Sequence, residues 1–370
     1  MSFSGLFSFG LDVYCSLFKM LDSAHPTCLS SQPELRSINV ESDMAREEQL
    51  QLHAVSLVDG TRTLFLSQLC ELVFYSEDDI LVAVDGPTGC GRTCIMANVC
   101  LRIREEQARR ARMVKAHPVS RGEGDESPFV FAWVLHEPWQ TTFDWQHALA
   151  SQLCRRPADA ADEDEFVGDV SMESIIHDIW DMMTRGISVY IAADGLSEEE
   201  QMDIGRLFNT LQERSNNQWF GDPTRATKMS LGRLKVVVST HGFRSEMHRR
   251  VQIVQVPDLD LEERLRIVHA YTLETKSQIP TPVFERMCAV KSHAAYPRYL
   301  KVAMTFMSAC QLVFPGQVLT VAKSLSPHLS TLYENDLLPF LEDLGDAEGV
   351  RDTLAALVNS KGILPFELRW

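Results

Sequence analysis

A glycine-rich segment between an apolar run and an amphipathic run constrains the fold of this chain more than any other feature. Its sequence is Gly86-Pro87-Thr88-Gly89-Cys90-Gly91-Arg92-Thr93. Residues 80–84 before it are apolar and predict a buried strand, and residues 93–113 after it predict a helix. Glycine permits positive φ and leaves room for backbone N–H groups to face an anion. The order of strand, loop and helix therefore predicts an α/β fold with an anion-binding turn after the first strand.

The segment matches the phosphate-loop consensus G-x-x-x-x-G-K-[ST] with one substitution, because Arg92 stands at the lysine position. We expect the loop amides and the positive end of the following helix to bind nucleotide phosphates, and the Thr93 hydroxyl to bind Mg²⁺. A guanidinium keeps the charge but is bulkier, so binding should tolerate Arg92 better than hydrolysis. The alternative is a glycine-rich turn without a ligand. The predicted cofactor-binding residues of the loop are Gly86, Pro87, Thr88, Gly89, Cys90, Gly91, Arg92, Thr93 and Cys94.

Further strand-like runs lie at residues 129–135, 187–194, 234–240 and 251–256, with helical patterns between them. This alternation predicts a parallel sheet with helices on both faces. Ligands of such sheets bind at the carboxyl ends of the strands. One run ends in Ser239 and Thr240, which either sense a γ-phosphate or cap the strand end.

Asp194 ends the run at 187–194 and is predicted to be a catalytic residue and, with Thr93, a ligand of Mg²⁺. The alternative is a turn or cap residue, since Gly195 follows. Glu198 is a candidate catalytic residue that would orient the attacking water. Its alternative is an exposed acid that complements the dipole of a helix start.

Composition narrows the class of partner. The chain has 51 acidic and 35 basic residues and a net charge of −16, which argues against a broad nucleic-acid surface. A basic run at residues 102–112 is interpreted as the exposed face of the helix after the loop. No apolar run reaches the ~18 residues of a membrane span, and residues 1–21 lack the basic start of a signal peptide. The nine cysteines include no C-x-x-C pair, so a zinc site is not predicted. We expect a cytoplasmic protein, with attachment to a cytoskeletal or ciliary assembly left open.

Four segments carry a family resemblance. They are A-R-E-E-Q-L at 45–50, I-A-A-D-G-L-S-E at 191–198, V-P-D-L-D-L-E-E-R at 256–264 and Y-P-R-Y-L-K-V-A at 296–303. In this order the chain resembles the STAND class of P-loop NTPases, of the NACHT type, and in particular the ATPase modules of nephrocystin and telomerase-associated proteins. The resemblance implies a switch driven by ATP or ADP, with an α/β core, a helical domain and a winged helix that close over ADP. It places Pro297 near the adenine, and it implies protein partners and possible oligomers.

Two departures from the family pattern concern hydrolysis. Arg92 replaces the lysine of the loop, and Ser197 replaces the second acid of the family's D-G-L-D-E. If each lowers transition-state stabilisation by about 2–3 kcal/mol, turnover falls by roughly 10³ or more. We therefore expect weak or absent hydrolysis, and whether the chain is an ATPase stays open.

The predicted domains are a tail and linker at 1–42, a P-loop NTPase domain (AAA+/STAND-like) at 43–258, a helical domain at 259–325 and the start of a winged helix at 326–370. Three functions fit this plan. The first is a nucleotide-binding switch or scaffold. The second is a scaffold that keeps the fold without nucleotide. The third is an origin-recognition-type AAA+ protein that binds DNA, which the net charge of −16 disfavours.

Overall fold

The chain is known from a computed structural model. The structure describes residues 47–48, 50–116, 129–135, 145–153, 170–220, 231–240, 251–275, 279–289, 295–313, 316–337 and 339–340. The predicted tail at 1–42 and the end of the predicted winged helix, residues 341–370, lie outside this description. Residues 47–48 and 50–55 are helical.

The described elements alternate between helix and strand and then become helical only. In chain order they are α1 (Thr63–Tyr75), β1 (Ile80–Asp85), α2 (Arg92–Ala116), β2 (Phe129–Leu135), α3 (Trp145–Leu153), α4 (Met172–Thr184), β3 (Ser188–Asp194), α5 (Glu198–Phe220), β4 (Leu234–Thr240), β5 (Val251–Gln255), α6 (Leu261–Thr275), α7 (Thr281–Ala289), α8 (Pro297–Val313), α9 (Val318–Ser324), α10 (Leu329–Thr331) and a π-helical turn (Leu332–Leu337).

All five strands among the described residues join one parallel sheet with the order β2-β3-β4-β1-β5. The register aligns the strand ends: Asp85 of β1 pairs with Thr240 of β4 and with Gln255 of β5. Since parallel strands point the same way, the loops that follow them open at one edge of the sheet. The prediction of an α/β fold with a parallel sheet is confirmed, and each predicted strand lies within one or two residues of its observed bounds.

The sheet is covered on both faces, which explains its apolar strands. Side chains alternate along β1, so that Val82 and Val84 face α1 and α2, whereas Leu81 and Ala83 face α3, α4 and α5. Burying one such side chain contributes about 1.5–3 kcal/mol relative to leaving it exposed. The two apolar layers fix the sheet and therefore the position of its loops.

The helices after β5 enclose a third apolar cluster, which extends from Leu259 to Phe340. Tyr299 of α8 lies in this cluster, and its hydroxyl donates to the carbonyl of Ser326 over 2.8 Å. Burial raises the pKa of Tyr299 to about 12. The cluster anchors α8, the helix that reaches back to the sheet. The predicted domain boundaries at 258 and 325 stay predictions.

Among the described residues, no helix has both the length and the apolar character that crossing a membrane requires.

Candidate functional site

The loop between β1 and α2 turns on two glycines with positive φ. Gly89 has φ +83° and Gly91 has φ +94°, a region that other L-residues enter only with strain. The amide of Cys90 donates to the carbonyl of Pro87 over 3.2 Å, and the first described helical bond of α2 runs from Ile95 to Gly91. The glycines therefore bend the chain directly into the start of α2.

The base of the loop is held by β5. The carbonyl of Asp85 accepts a hydrogen bond of 2.8 Å from the amide of Val256, and its carboxylate accepts one of 2.8 Å from the Gln255 side chain. A Cβ on Gly86 would lie 2.8 Å from Cys90 Sγ and 3.2 Å from Val256 Cβ. The absence of a side chain at Gly86 is what allows Cys90 and Val256 to pack beneath the loop.

Cys90 belongs to the packing of the loop rather than to its surface. Only 1% of this residue is exposed, and burial raises the pKa of its thiol. Cys94, one helical turn further on, lies with its Sγ 3.3 Å from the hydroxyl of Ser56. In contrast, Pro87 and Thr88 are exposed at the tip of the loop, where a ligand has access to them.

The N-terminus of α8 lies against the same loop. The amide of Arg298 donates to the carbonyl of Gly89 over 3.3 Å, and a Cβ on Gly89 would meet Arg298 Cβ at 2.9 Å. Pro297 Cγ would lie 3.7 Å from a Cβ on Gly91. The structure thus brings Pro297 to the phosphate loop, while its predicted position beside an adenine stays a prediction. Arg298 was not singled out from the sequence, although it contacts the loop at Gly89.

The carboxyl ends of β3 and β4 meet through side chains. Asp194 is only 5% exposed, and its Oδ1 accepts a hydrogen bond from the hydroxyl of Ser239. The same hydroxyl accepts a bond of 3.4 Å from the amide of Gly195. Arg92 is fixed at the next strand end, because its Nη1 donates to the carbonyl of Thr240. Asp194 and Arg92 are therefore both bound to residues that end β4.

Glu198 begins α5 and is exposed. Ser197, immediately before it, is part of a reciprocal N-terminal cap: its hydroxyl accepts from the amide of Glu200 over 3.3 Å, and Glu200 Oε2 accepts from the amide of Ser197 over 2.7 Å. The residue that departs from the family pattern thus has a structural role of its own. The cap is local, and the S-x-x-E spacing in the sequence could have revealed it.

Arg62, the residue before α1, was also not singled out from the sequence. Only 3% of it is exposed, its φ is +57°, and its amide donates to Glu263 Oε1 over 2.6 Å. Its Nη1 donates to the carbonyl of Pro257, whereas Nε and Nη2 have no hydrogen-bond partner among the described residues. Burial lowers the pKa of Arg62, and the nearby Glu263 and Cys90 oppose that shift.

A Cβ at Gly86 would meet Cys90 and Val256, and one at Gly89 would meet Arg298, so both glycines are needed for the packing around the loop. Oxygen ligands for Mg²⁺ are available from Asp194 and from Thr93 in the first turn of α2. Among the described residues, no group of three or more His, Cys, Asp or Glu side chains could hold a metal ion. A Mg²⁺ held by Asp194 and Thr93 would therefore also depend on phosphate oxygens.

The basic run on α2 is largely paired within the chain. Arg104 forms an ion pair with Glu47, and Arg109 and Arg110 both bind Glu106. The hydrogen bond from Arg109, more than any other contact, lowers the pKa of Glu106 to about 2. Arg110 also lies 5.2 Å from the ring centroid of Phe129. Arg109 and Arg112 are exposed, as the interpretation of this run as an exposed helix face expects, whereas Arg110 is only 5% exposed.

A parallel five-stranded sheet, with a glycine-rich loop that joins β1 to the N-terminus of α2, defines the fold of a P-loop NTPase. No family model matches the sequence, and no curated protein matches it.

Three solved structures are similar to this chain at low sequence identity. Domain III of the replication initiation protein DnaA from Thermotoga maritima is 11% identical, covering 72% of this chain and 91% of that one, with a TM-score of 0.35. The ORC2 protein of Aeropyrum pernix, in ADPNP-ADP complexes, is 12% identical, with coverages of 84% and 73% and a TM-score of 0.40. The AAA domain of FIGL-1 in complex with ADP is 13% identical, with coverages of 90% and 94% and a TM-score of 0.31. These TM-scores are too low to assign the fold. The fold is therefore assigned from the strand order and the glycine-rich loop of this chain itself.

Proposed function

We propose that this chain binds ADP or ATP at the loop of residues 86–93 and acts as a nucleotide-dependent switch or scaffold of the STAND type, with weak or absent hydrolysis. The observation that carries the proposal is the backbone of Gly89 and Gly91, which turns with positive φ into the start of α2. Such a turn directs consecutive amides toward one point, where an anion also meets the positive end of the helix dipole.

The contact between the loop and α8 supports the switch. Arg298 of α8 donates its amide to Gly89, so the helices after β5 contact the part of the chain that would hold the phosphates. A ligand at the loop would then interact with the sheet and with α8 together. A difference in affinity between two positions of α8 is what a nucleotide-dependent switch requires.

Weak hydrolysis follows from the partners of the candidate catalytic groups. Arg92 Nη1 donates to a backbone carbonyl and Asp194 Oδ1 accepts from Ser239, so each group already shares its charge with a protein partner. Glu198 begins α5 beside a capping pair that does not include it. Both departures from the family pattern, Arg92 and Ser197, concern hydrolysis, whereas binding depends chiefly on the loop backbone and the helix start, so binding is proposed ahead of turnover.

Equilibrium titration with ADP, ATP and GTP, each with and without Mg²⁺, tests the proposal. A bound nucleotide raises the free energy of unfolding by about 2.7 kcal/mol when its concentration is 100 times the Kd. The variant Gly316→Ala should bind nucleotide as the wild type does, because a Cβ there meets no atom within 4 Å. Unchanged thermal stability of the wild type at millimolar ADP and ATP would contradict nucleotide binding. That result would favour the alternative function, a scaffold that binds no nucleotide. The hydrogen bond from Arg92 to the carbonyl of Thr240 supports this alternative.

A further inference from the structure

The segment before α1 joins the sheet side of the molecule to the helices after β5. Val58 packs against the apolar cluster of those helices, and Thr61 donates its amide and its hydroxyl to the carbonyl of Val58 over 3.0 and 2.6 Å. Gly60, with φ +80°, lies against the guanidinium of Arg266 in α6, which a Cβ at this position would meet. The next helix, α1, packs with α2 in an apolar layer on the sheet. Residues 58–62 therefore contact both parts of the chain.

Arg62 ends this segment and is bound to both ends of the connector between β5 and α6 (residues 256–260). Its Nη1 donates to the carbonyl of Pro257, and its amide donates over 2.6 Å to Oε1 of Glu263 in the first turn of α6. Glu263 Oε2 accepts from the amide of Asp260 over 3.1 Å, and the amide of Glu263 donates to Asp260 Oδ1 over 2.8 Å. The carboxylate that caps α6 therefore also holds the backbone of Arg62.

The connector also sets where α8 lies relative to the phosphate loop. The amide of Leu259 donates to the carbonyl of Ala295 over 3.1 Å, shortly before α8 begins, and the amide of Arg298 donates to the carbonyl of Gly89 over 3.3 Å. The helices after β5 share one apolar cluster, so a rotation about the connector would move α8 together with the others and away from the loop. Arg62 opposes this rotation, because it is bound to the connector and to α6 at once.

Holding the connector is unfavourable for Arg62 itself. Its φ of +57° lies in the left-handed region, which is strained for a residue with a side chain. Its guanidinium is buried, and Nε and Nη2 have no hydrogen-bond partner within the part of the chain that the structure describes. Buried donors without acceptors destabilise the state that buries them. Burial also lowers the pKa of Arg62, against the opposing charge of Glu263. A state in which Arg62 leaves the connector would relieve both the strain and the burial.

We propose that Arg62 is a releasable clamp on the connector: it holds α8 against the phosphate loop in a closed state, and its strained backbone and unpaired guanidinium nitrogens favour release to an open state. The clamp rests on the proposed function only in its use, since a nucleotide-dependent switch requires two positions of α8. Opening of the connector itself is measurable without nucleotide.

Hydrogen exchange of the full chain without nucleotide, followed by mass spectrometry, tests the clamp. Exchange over residues 296–300 reports the contact of α8 with the loop, and exchange in β4 reports global unfolding. Arg62→Ala and Arg62→Gly both remove the guanidinium, but only alanine is strained at φ +57°. If opening releases residue 62, exchange over 296–300 is expected to be about fivefold faster in Arg62→Ala than in Arg62→Gly.

Two results would overturn the proposal. The first is equal exchange over 296–300 in the two variants with a difference in β4 alone, because α8 would then leave the loop while Arg62 stayed in place. The second is an equal urea dependence of exchange over 296–300 and in β4 of the wild type, because α8 would then separate from the loop only in global unfolding. None of these outcomes depends on whether the loop binds ADP.

Glu263→Gln decides if the Arg62 variants do not fold. It keeps an oxygen for the amide of Arg62 but removes the charge beside the guanidinium, so exchange over 296–300 is expected to be about fivefold faster than in the wild type. Glu262→Gln is the matched control, since Glu262 forms an exposed ion pair with Arg266 and should exchange as the wild type does. Wild-type exchange over 296–300 in Glu263→Gln would overturn the clamp.

Discussion

Gly89→Ala is the substitution whose effect can be worked out most directly from the structure. At φ +83° an alanine is strained by about 1–2 kcal/mol. Its Cβ would also lie 2.9 Å from Arg298 Cβ and 3.3 Å from Arg298 Cδ. Because the Cβ of Arg298 is fixed to the backbone of α8, the contact is relieved only by moving the helix or the loop, and overpacking of this kind costs about 1–3 kcal/mol. We expect the free energy of unfolding to fall by about 2–5 kcal/mol in total.

Urea titration monitored by tryptophan fluorescence measures this loss. Gly316→Ala is the matched control: the same change is made where the Cβ contacts nothing within 4 Å, and its effect should stay within about 0.5 kcal/mol. A second readout is nucleotide affinity, which should fall in Gly89→Ala and stay unchanged in Gly316→Ala. If the two variants unfold at the same urea concentration, the packing of α8 against the loop is not as the structure shows it, and the reasoning is refuted.

Three further predictions concern side chains around the sheet and on α2. Ser239→Ala removes the donor to the buried carboxylate of Asp194 and should lower the free energy of unfolding by about 1–3 kcal/mol; wild-type stability in urea would contradict the pairing. Lys235 is 2% exposed and donates to two backbone carbonyls of the turn before β1, so Lys235→Met should cost a similar 1–3 kcal/mol, roughly, in the same titration. The hydrogen bond from Arg109 lowers the pKa of Glu106 from its ordinary 4.5 to about 2, so the ionised Glu106 stabilises the fold above about pH 4.5 and this contribution is lost as the pH falls toward 2. Thermal unfolding between pH 2 and 6 should therefore show a smaller loss for Glu106→Gln than for the wild type, and equal slopes would count against the pair.

The fold was predictable where the sequence signal is local. The runs that became β1, β3 and β4 are apolar except for Ser188 and Lys235 and end in polar residues, so most of their buried positions and their ends can be predicted from the sequence. The loop glycines were recognisable for the same reason, since Gly89 and Gly91 stand at fixed positions between a strand and a helix. Their roles in binding stay predictions.

The positions of Arg62 and Arg298 could not be predicted, because they are set by contacts between distant parts of the chain. The amide of Arg62 is bound by Glu263, which lies 201 positions away, and its guanidinium by the carbonyl of Pro257, 195 positions away. In the sequence, Arg62 is one more arginine before an apolar helix. Arg298 is similar, because only the position of α8 against Gly89 gives it a role. Ser197 differs from these two residues, because its pairing with Glu200 is a local capping pattern that the sequence alone contains. The family comparison treats the same serine only as the loss of an acid.

The dependence of the loop on β5 has a consequence for how the site forms. Asp85 receives its side-chain partner from Gln255, 170 positions later, and Arg92 receives its carbonyl partner from Thr240, 148 positions later. Contacts between such distant positions close late in folding, because the ordering of the intervening chain must come first. A fragment that ends before residue 251 would contain every residue of the motif, yet it would lack the two hydrogen bonds that Asp85 accepts from Gln255 and Val256. In this chain the loop therefore gains its full set of contacts only after β5 has joined the sheet.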